Sequence, residues 1–437
     1  MLQVFGHSWA LFLGMFMLMI GNGLQGTLLG VRGEIEGFST TAMSLVMSAY
    51  FLGFLFASRM VPKLIQKVGH VRVFAALGST ISAVLILYPA LAEPWVWTLG
   101  RAIIGFCFCG VYITAESWLN DSATNETRGQ ALSVYMIVQM AGIVVAQYIL
   151  TLGDASGFIL FIVPSVLVSL AFAPILLAAG NSPTFETTKP LSIRRLIEAS
   201  PLACMGMFLL GGVFAAQFGM SAVYATRAGL TVPQISVMVS ITYVTALFLQ
   251  YPVGWLSDRM DRRILIIGLA FAGGLGSALS FFIPGYYLLI LISAGIVGGM
   301  SNPLYALLIA YANDFLERED MAAASGGLLF VNGVGAVSGP LLVGWAMDNI
   351  SVHAYWAFIA ALMLTLGAYG LWRMTRRATT TSVEDLVSYA PITASASPVM
   401  AVAAQEIYIE TEEDSHSEDA SDPSATRGGR PEDASQM

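Results

Sequence analysis

Twelve separate runs of about twenty apolar residues, nearly free of charge inside, leave this chain few ways to fold. They cover 9–32, 41–61, 72–91, 95–119, 128–150, 157–179, 201–224, 233–255, 264–283, 286–312, 321–346 and 353–373. A helix of about 20 such residues crosses a bilayer core of roughly 30 Å. Only 11% of the 437 residues are charged, against about 25% in a soluble domain. The expected fold is an all-α integral membrane protein with twelve transmembrane helices. A β-barrel is excluded, because the runs lack period-two alternation and are too long for its strands. Internal prolines such as Pro164, Pro252 and Pro303 are compatible with helices, since neighbouring helices re-satisfy freed backbone groups.

Charge then orients the chain. Fifteen lysines and arginines, from Arg59 to Arg377, fall in one set of loops, and only Arg32 and Arg227 in the other. The positive-inside rule places both termini in the cytoplasm. The stretch 378–437 holds twelve acids and two arginines, and lacks apolar periodicity. It is expected to be a disordered acidic cytoplasmic tail. The first run lacks a basic n-region and a small-residue cleavage site, so it should remain as a helix. Cys107, Cys109 and Cys204 sit in apolar runs without zinc spacing. No metal and no cofactor is expected. A phosphate-cradling loop and a nucleophile–base constellation are both missing, which argues against an enzyme. No basic, aromatic-interleaved patch suggests nucleic acid.

The longest internal loop, 181–200, is a polar cytoplasmic linker between two six-helix halves, 1–180 and 201–377. The halves resemble each other at a fixed offset. At 192, Ser44 and Ser48 fall on Ser236 and Ser240. At 193, Asn120-Asp121 falls on Asn313-Asp314 and Gln139 on Asn332. Two parallel, pseudo-symmetric six-helix repeats are the expectation.

The loop after the eighth run reads Gly254-Trp255-Leu256-Ser257-Asp258-Arg259-Met260-Asp261-Arg262-Arg263. This resembles, position for position, the loop signature of the major facilitator superfamily, whose repeats are arranged in this way. The resemblance implies a cytoplasmic gate motif of Gly254, Asp258, Arg259, Arg262 and Arg263, with Arg128. Asp258 would cap the positive end of span eleven near Met321. In the other half, Pro62 and Gln66 replace the Gly and Asp, so that latch should be weaker. Arg101 with Gly105 in span four, and Gly335, Gly339 and Pro340 in span eleven, also resemble superfamily motifs. The latter motif is absent from span five (Met140 to Val144), which counts against drug–proton antiport. Arg101, Glu116-Ser117 and Arg128-Gly129 resemble the YcaD-like branch of bacterial inner-membrane proteins, over about residues 9–375.

Ionisable groups inside a span are costly and point to function. Arg101, Gly105, Tyr112 and Glu116 fall within an arc of about 60° on span four, a stripe expected to face the central cavity. Arg101 and Glu116 are about 22 Å apart at 1.5 Å per residue, too far to pair. Glu116 is the candidate proton-coupling site; the alternative is an ion pair with Arg128 or another gate base. Arg101 could hold an anionic group of the solute or serve helix packing. Asn22, Gln25, Tyr112, Gln139, Gln217, Tyr224, Asn302, Tyr305 and Asn332 are the other substrate-binding candidates, or else interhelical hydrogen-bonders. Pro303 is expected to break span ten. Trp9, Trp95, Trp97, Trp255 and Trp356, near span ends, read as interface anchors. Together these features imply a secondary active transporter of a small solute working by alternating access, proton-coupled, monomeric and surrounded by lipid. The alternatives are a drug or metabolite efflux antiporter, and a transporter-fold sensor that signals through its acidic tail.

Overall fold

The computed structural model describes residues 2–122, 125–178, 192–316 and 318–376. The acidic tail, most of the linker 181–200 and the side chain of Arg128 lie outside the described residues. Regular structure among the described residues is helical throughout. The first part of the chain forms α1 (Leu2–Ile35), α2 (Thr40–Val68), α3 (His70–Ala90), α4 (Pro94–Ser122), α5 (Asn125–Leu150) and α6 (Ile159–Ala178). A short α7 (Ile193–Ala199) precedes α8 (Pro201–Ala215), which runs through a wide π turn at Ala216–Met220 into α9 (Ser221–Arg227). There follow α10 (Val232–Ser257), α11 (Arg262–Phe282), α12 (Tyr287–Asn313), α13 (Arg318–Asn349) and α14 (Ala354–Met374). Among the described residues, eleven helical stretches, with α8 to α9 as one, are long and apolar enough to cross a membrane; α6 adds a shorter apolar helix.

Local chemistry ends and starts these helices. Ser39 caps α2 by accepting from the Ala42 amide, and Thr231 with Gln234 forms a capping box on α10. Gly69 stands between α2 and α3 at φ 87°, a conformation that costs glycine little.

Without a hydrophobic drive between helices in lipid, close backbone approach at small residues supplies the packing. A methyl group on Gly105 of α4 would collide with the Tyr50 carbonyl oxygen of α2, and one on Gly53 with the Ala102 carbonyl oxygen. The same crossing recurs between α10 and α12, where Gly298 abuts the Thr242 carbonyl oxygen. A second crossing sets Gly142 of α5 on Phe16 of α1, and recurs as Gly335 of α13 on Phe208 of α8. Gly105 to Gly298 and Gly142 to Gly335 are both steps of 193 residues.

Three expectations need correction. Trp97 and Trp356 are not interface anchors; both are buried. Trp97 Nε1 donates to the Tyr88 carbonyl at 3.0 Å, and the Trp356 ring lies edge-on to Tyr224. Nearness to a span end does not decide which side of the helix faces lipid; Trp9, Trp95 and Trp255 are the exposed ones. Pro303 does not break α12, which stays helical from Tyr287 to Asn313. The irregular backbone lies instead in the π turn at 216–220, a feature common at functional sites. Gly105 faces α2 and not a cavity.

At one end of the bundle a polar clamp joins elements far apart in sequence. Arg227 reaches Glu34 at 3.2 Å and Asp348 at 3.4 Å, and the Thr41 hydroxyl donates to Asp348 at 3.0 Å. Ser48 donates to the Val337 carbonyl at 2.5 Å. Toward the other end, the Arg59 guanidinium lies 4.2 Å over the Phe330 ring.

Candidate functional site

A cavity of about 140 Å³ lies where α1, α2, α4 and α5 meet α8, α10, α12, α13 and the π turn. Six of the sequence candidates line it: Asn22, Arg101, Tyr112, Gln139, Asn302 and Asn332. On one wall they form a continuous network. Asn22 Nδ2 donates to the Tyr112 hydroxyl at 3.1 Å and the Tyr50 hydroxyl at 3.4 Å. Gln25 Nε2 donates to Asn22 Oδ1 at 3.1 Å, and Arg101 Nη1 donates to Gln25 Oε1 at 3.0 Å. Asn22 and Gln25 meet because residues three apart on a helix are neighbours. Arg101 and Tyr112 are three turns apart on α4 and so share its inner face. The guanidinium also sits 4.6 Å over the Tyr50 ring.

Four candidates are placed elsewhere. Gln25 is fully buried behind Asn22 and acts through it. Gln217, in the π turn, lines a small neighbouring pocket and accepts from Ser301 at 3.3 Å. Tyr224 is stacked on Tyr355 at 4.7 Å, and Tyr305 packs edge-on against Phe214. Of the amides on the far wall, Asn332 donates to the Met207 carbonyl at 2.9 Å and Asn302 to the Gly298 carbonyl at 3.2 Å.

Sequence reasoning missed the aromatic lining: Tyr50, Phe51 and Phe54 from α2, and Phe214, Phe218 and Tyr243 opposite. Phe218 stacks between Phe214 and Tyr243, with both centroid distances 5.5 Å and interplanar angles of 3° and 19°. The spacings Tyr50–Phe54 and Phe214–Phe218, one helical turn each, were the available signal.

Glu116 is buried but does not line the cavity. It turns toward α5, where the Tyr135 hydroxyl donates to its Oε1 at 3.1 Å. The expected stripe thus splits: Arg101 and Tyr112 face the cavity, Gly105 faces α2 and Glu116 faces α5.

Among the described residues of the gate signature, Arg262 is the most deeply buried charged side chain. Gly254 accepts from the Asp258 amide at the end of α10, and Arg259 stacks 4.3 Å over Trp255. Asp261 caps α11 through the Arg263 amide at 2.9 Å and pairs with the Arg263 guanidinium at 2.8 Å. Burial opposes ionisation of Asp261, but these bonds hold its carboxyl below the ordinary carboxylate range. Arg262 is 1% exposed, bonds Ser257 Oγ and the Ala310 carbonyl, and forms a short pair with Asp314. Asp258, more exposed, lies 3.9 Å from Arg262. Asp314, which sequence reading marked only as a repeat match, ties the end of α12 to this loop. Asp314→Asn should cost about 3–5 kcal/mol, because it strands a buried guanidinium. Asp258→Asn should cost only about 0.3–2 kcal/mol, the worth of a helix-terminal charge. Thermal unfolding of the two purified variants checks the order; equal losses would show that Asp258 contributes as much to the fold as the buried pair does.

The family model of the Major Facilitator Superfamily matches residues 11–232 and 202–404. The chain is 26% identical over 381 residues to the uncharacterized MFS-type transporter YfkF of Bacillus subtilis, covering 83% of this chain and 96% of that one. It is 25% identical over 357 residues to the uncharacterized MFS-type transporter YcaD of Salmonella arizonae, covering 80% and 91%. Its fold is similar to the nucleoside transporter NupG, with a TM-score of 0.70 at 16% identity over 85% of this chain and 99% of that one. The fucose:proton symporter FucP of E. coli is similar with a TM-score of 0.55 at 15% identity, over 83% and 97%. The chain therefore belongs to the Major Facilitator Superfamily, a family of multi-pass inner-membrane transporters and not of enzymes.

Proposed function

We propose that the protein is a proton-coupled secondary transporter whose two six-helix halves, 1–180 and 201–377, rock about the central cavity to carry a small solute. The carrying observation is the cavity itself, walled on one side by Asn22, Arg101 and Tyr112 and on the other by Phe218, Asn302 and Asn332. A site at the repeat interface is what alternating access requires. The glycine crossings repeated at a step of 193 support the two-half reading, as does a family model that matches twice. The cavity lies within one chain, in keeping with a working monomer. The Lys and Arg asymmetry supports cytoplasmic termini. Glu116 is the coupling site: one helical turn beyond Tyr112 on α4, it lies outside the cavity yet on a helix that lines it. NupG and FucP, by their names a nucleoside transporter and a fucose:proton symporter, carry small solutes within this fold.

Gly26→Phe tests the cavity. Gly26 lines it, and a Cβ there would meet nothing within 4 Å. The ring should fill the space without straining the bundle. For a solute found by thermal-shift screening, which detects ligands that favour the folded state, uptake into proteoliposomes should fall to background with an unchanged melting temperature. Uptake at the wild-type rate would place translocation elsewhere.

A further inference from the structure

Arg101 is 3% exposed, and among the described residues no carboxylate pairs with it. A buried charge ordinarily has a counter-charge. Of its nitrogens, Nη1 is used by Gln25, Nη2 touches only the Met47 sulfur at 3.6 Å, and Nε has no partner. Nε and Nη2 share one edge of the planar guanidinium, the edge that grips a carboxylate with two parallel bonds. The Met47 thioether covers that edge, and a thioether is a weak acceptor that a carboxylate can displace. Among the described residues no acid lines the cavity, so none of them would hold a cation against Arg101. The opposite wall carries the aromatic stack Phe214–Phe218–Tyr243. Phe218 is covered on both faces, so the stack offers its ring edges, which accept the face of another ring at about 4.5–7 Å. The volume, about 140 Å³, has room for one ring, since an apolar cavity of about 150 Å³ takes benzene.

We infer that the solute is a single-ring aromatic carboxylate, its carboxylate on the Nε–Nη2 edge of Arg101 and its ring against Phe218 and Tyr243. The inference rests on the cavity being the translocation site. It excludes cationic amines and names a class of substrate for the same site.

The test uses the purified full chain and four probes: benzoate, benzamide, cyclohexanecarboxylate and benzylamine, titrated by calorimetry. Benzoate should bind, with benzamide and benzylamine about tenfold weaker or worse, as loss of a charge-assisted pair requires. Cyclohexanecarboxylate should fall between them. Arg101→Gln should abolish the difference between benzoate and benzamide. Arg101→Lys, which keeps the charge but not the fork, guards against a misfolded Gln variant and should also weaken benzoate about tenfold. Phe218→Leu should remove the preference for benzoate over cyclohexanecarboxylate. Benzamide or benzylamine binding as tightly as benzoate overturns the class, as does no benzoate binding up to about 10 mM. A solute of another class that binds the wild type and is lost in Gly26→Phe overturns the class while leaving the cavity reading intact. Benzoate binding unaffected by Gly26→Phe overturns the cavity reading itself.

Discussion

Glu116→Gln should abolish proton-driven accumulation while solute binding and energy-independent exchange survive. The amide imitates the protonated acid in size and keeps an oxygen for the Tyr135 hydroxyl, so the packing around it is preserved. What it cannot do is release a proton. The cost of a buried carboxylate depends on its solvation and on nearby cations, and alternating access changes both. The second half carries Ile309 at the matching step of 193, so the acid is not a requirement of the fold. In proteoliposomes with an imposed pH gradient, the accumulation ratio of the variant should drop to about one, the value set by equilibration alone. Counterflow exchange should continue. If Glu116 serves only as an ion-pair partner of Arg128, Arg128→Ala would give the same loss and the double variant would be no worse. Gradient-driven accumulation at the wild-type level in Glu116→Gln would falsify the coupling role.

Gly105→Ala should be among the most damaging one-methyl changes in the membrane core. Alanine favours helices over glycine by about 1 kcal/mol, so an isolated helix would gain. Here the added methyl meets the Tyr50 carbonyl oxygen, a backbone atom that cannot rotate away. The α2 and α4 backbones must part, at an overpacking cost of about 1–3 kcal/mol or more. The displacement also moves Tyr50, whose ring covers Arg101 and whose hydroxyl accepts from Asn22, so binding should fail along with stability. Gly26→Ala is the control: open space surrounds its Cβ position, and the variant should melt at or slightly above the wild-type temperature. Equal melting temperatures for the two variants would show that this crossing does not hold the helices together.

What the sequence disclosed and what it hid follow from one contrast. Spans and polar exceptions are visible because each polar residue in an apolar run stands against its background, and Asn22, Arg101, Tyr112, Gln139, Asn302 and Asn332 did point to the cavity. Phe51, Phe54, Phe214 and Phe218 were hidden because an apolar side chain does not stand out in an apolar run, and only the turn-length spacings mark two of the pairs. Tyr224 and Tyr305 misled because each lies at a helix–helix contact, which periodicity cannot distinguish from a cavity wall. The π turn at 216–220 follows no residue pattern, and Gln217 within it lines a neighbouring pocket. Asp314 was read only as an echo of Asp121, because its partnership with Arg262 joins residues 52 positions apart.

The clamp of Arg227 with Glu34 and Asp348 leaves all three side chains partly open to solvent, whereas the Arg262–Asp314 pair is sealed. Solvent-exposed pairs are worth about 0.2–1 kcal/mol each, and mobile ions screen them over about 8–10 Å at ordinary salt. Dissolved salt therefore weakens the Arg227 clamp more than the sealed Arg262–Asp314 pair. With the proposed orientation, the clamp faces the cell's surroundings. On the proposed rocking mechanism, higher external salt is expected to raise the frequency of outward opening, by no more than the modest worth of the three-residue clamp.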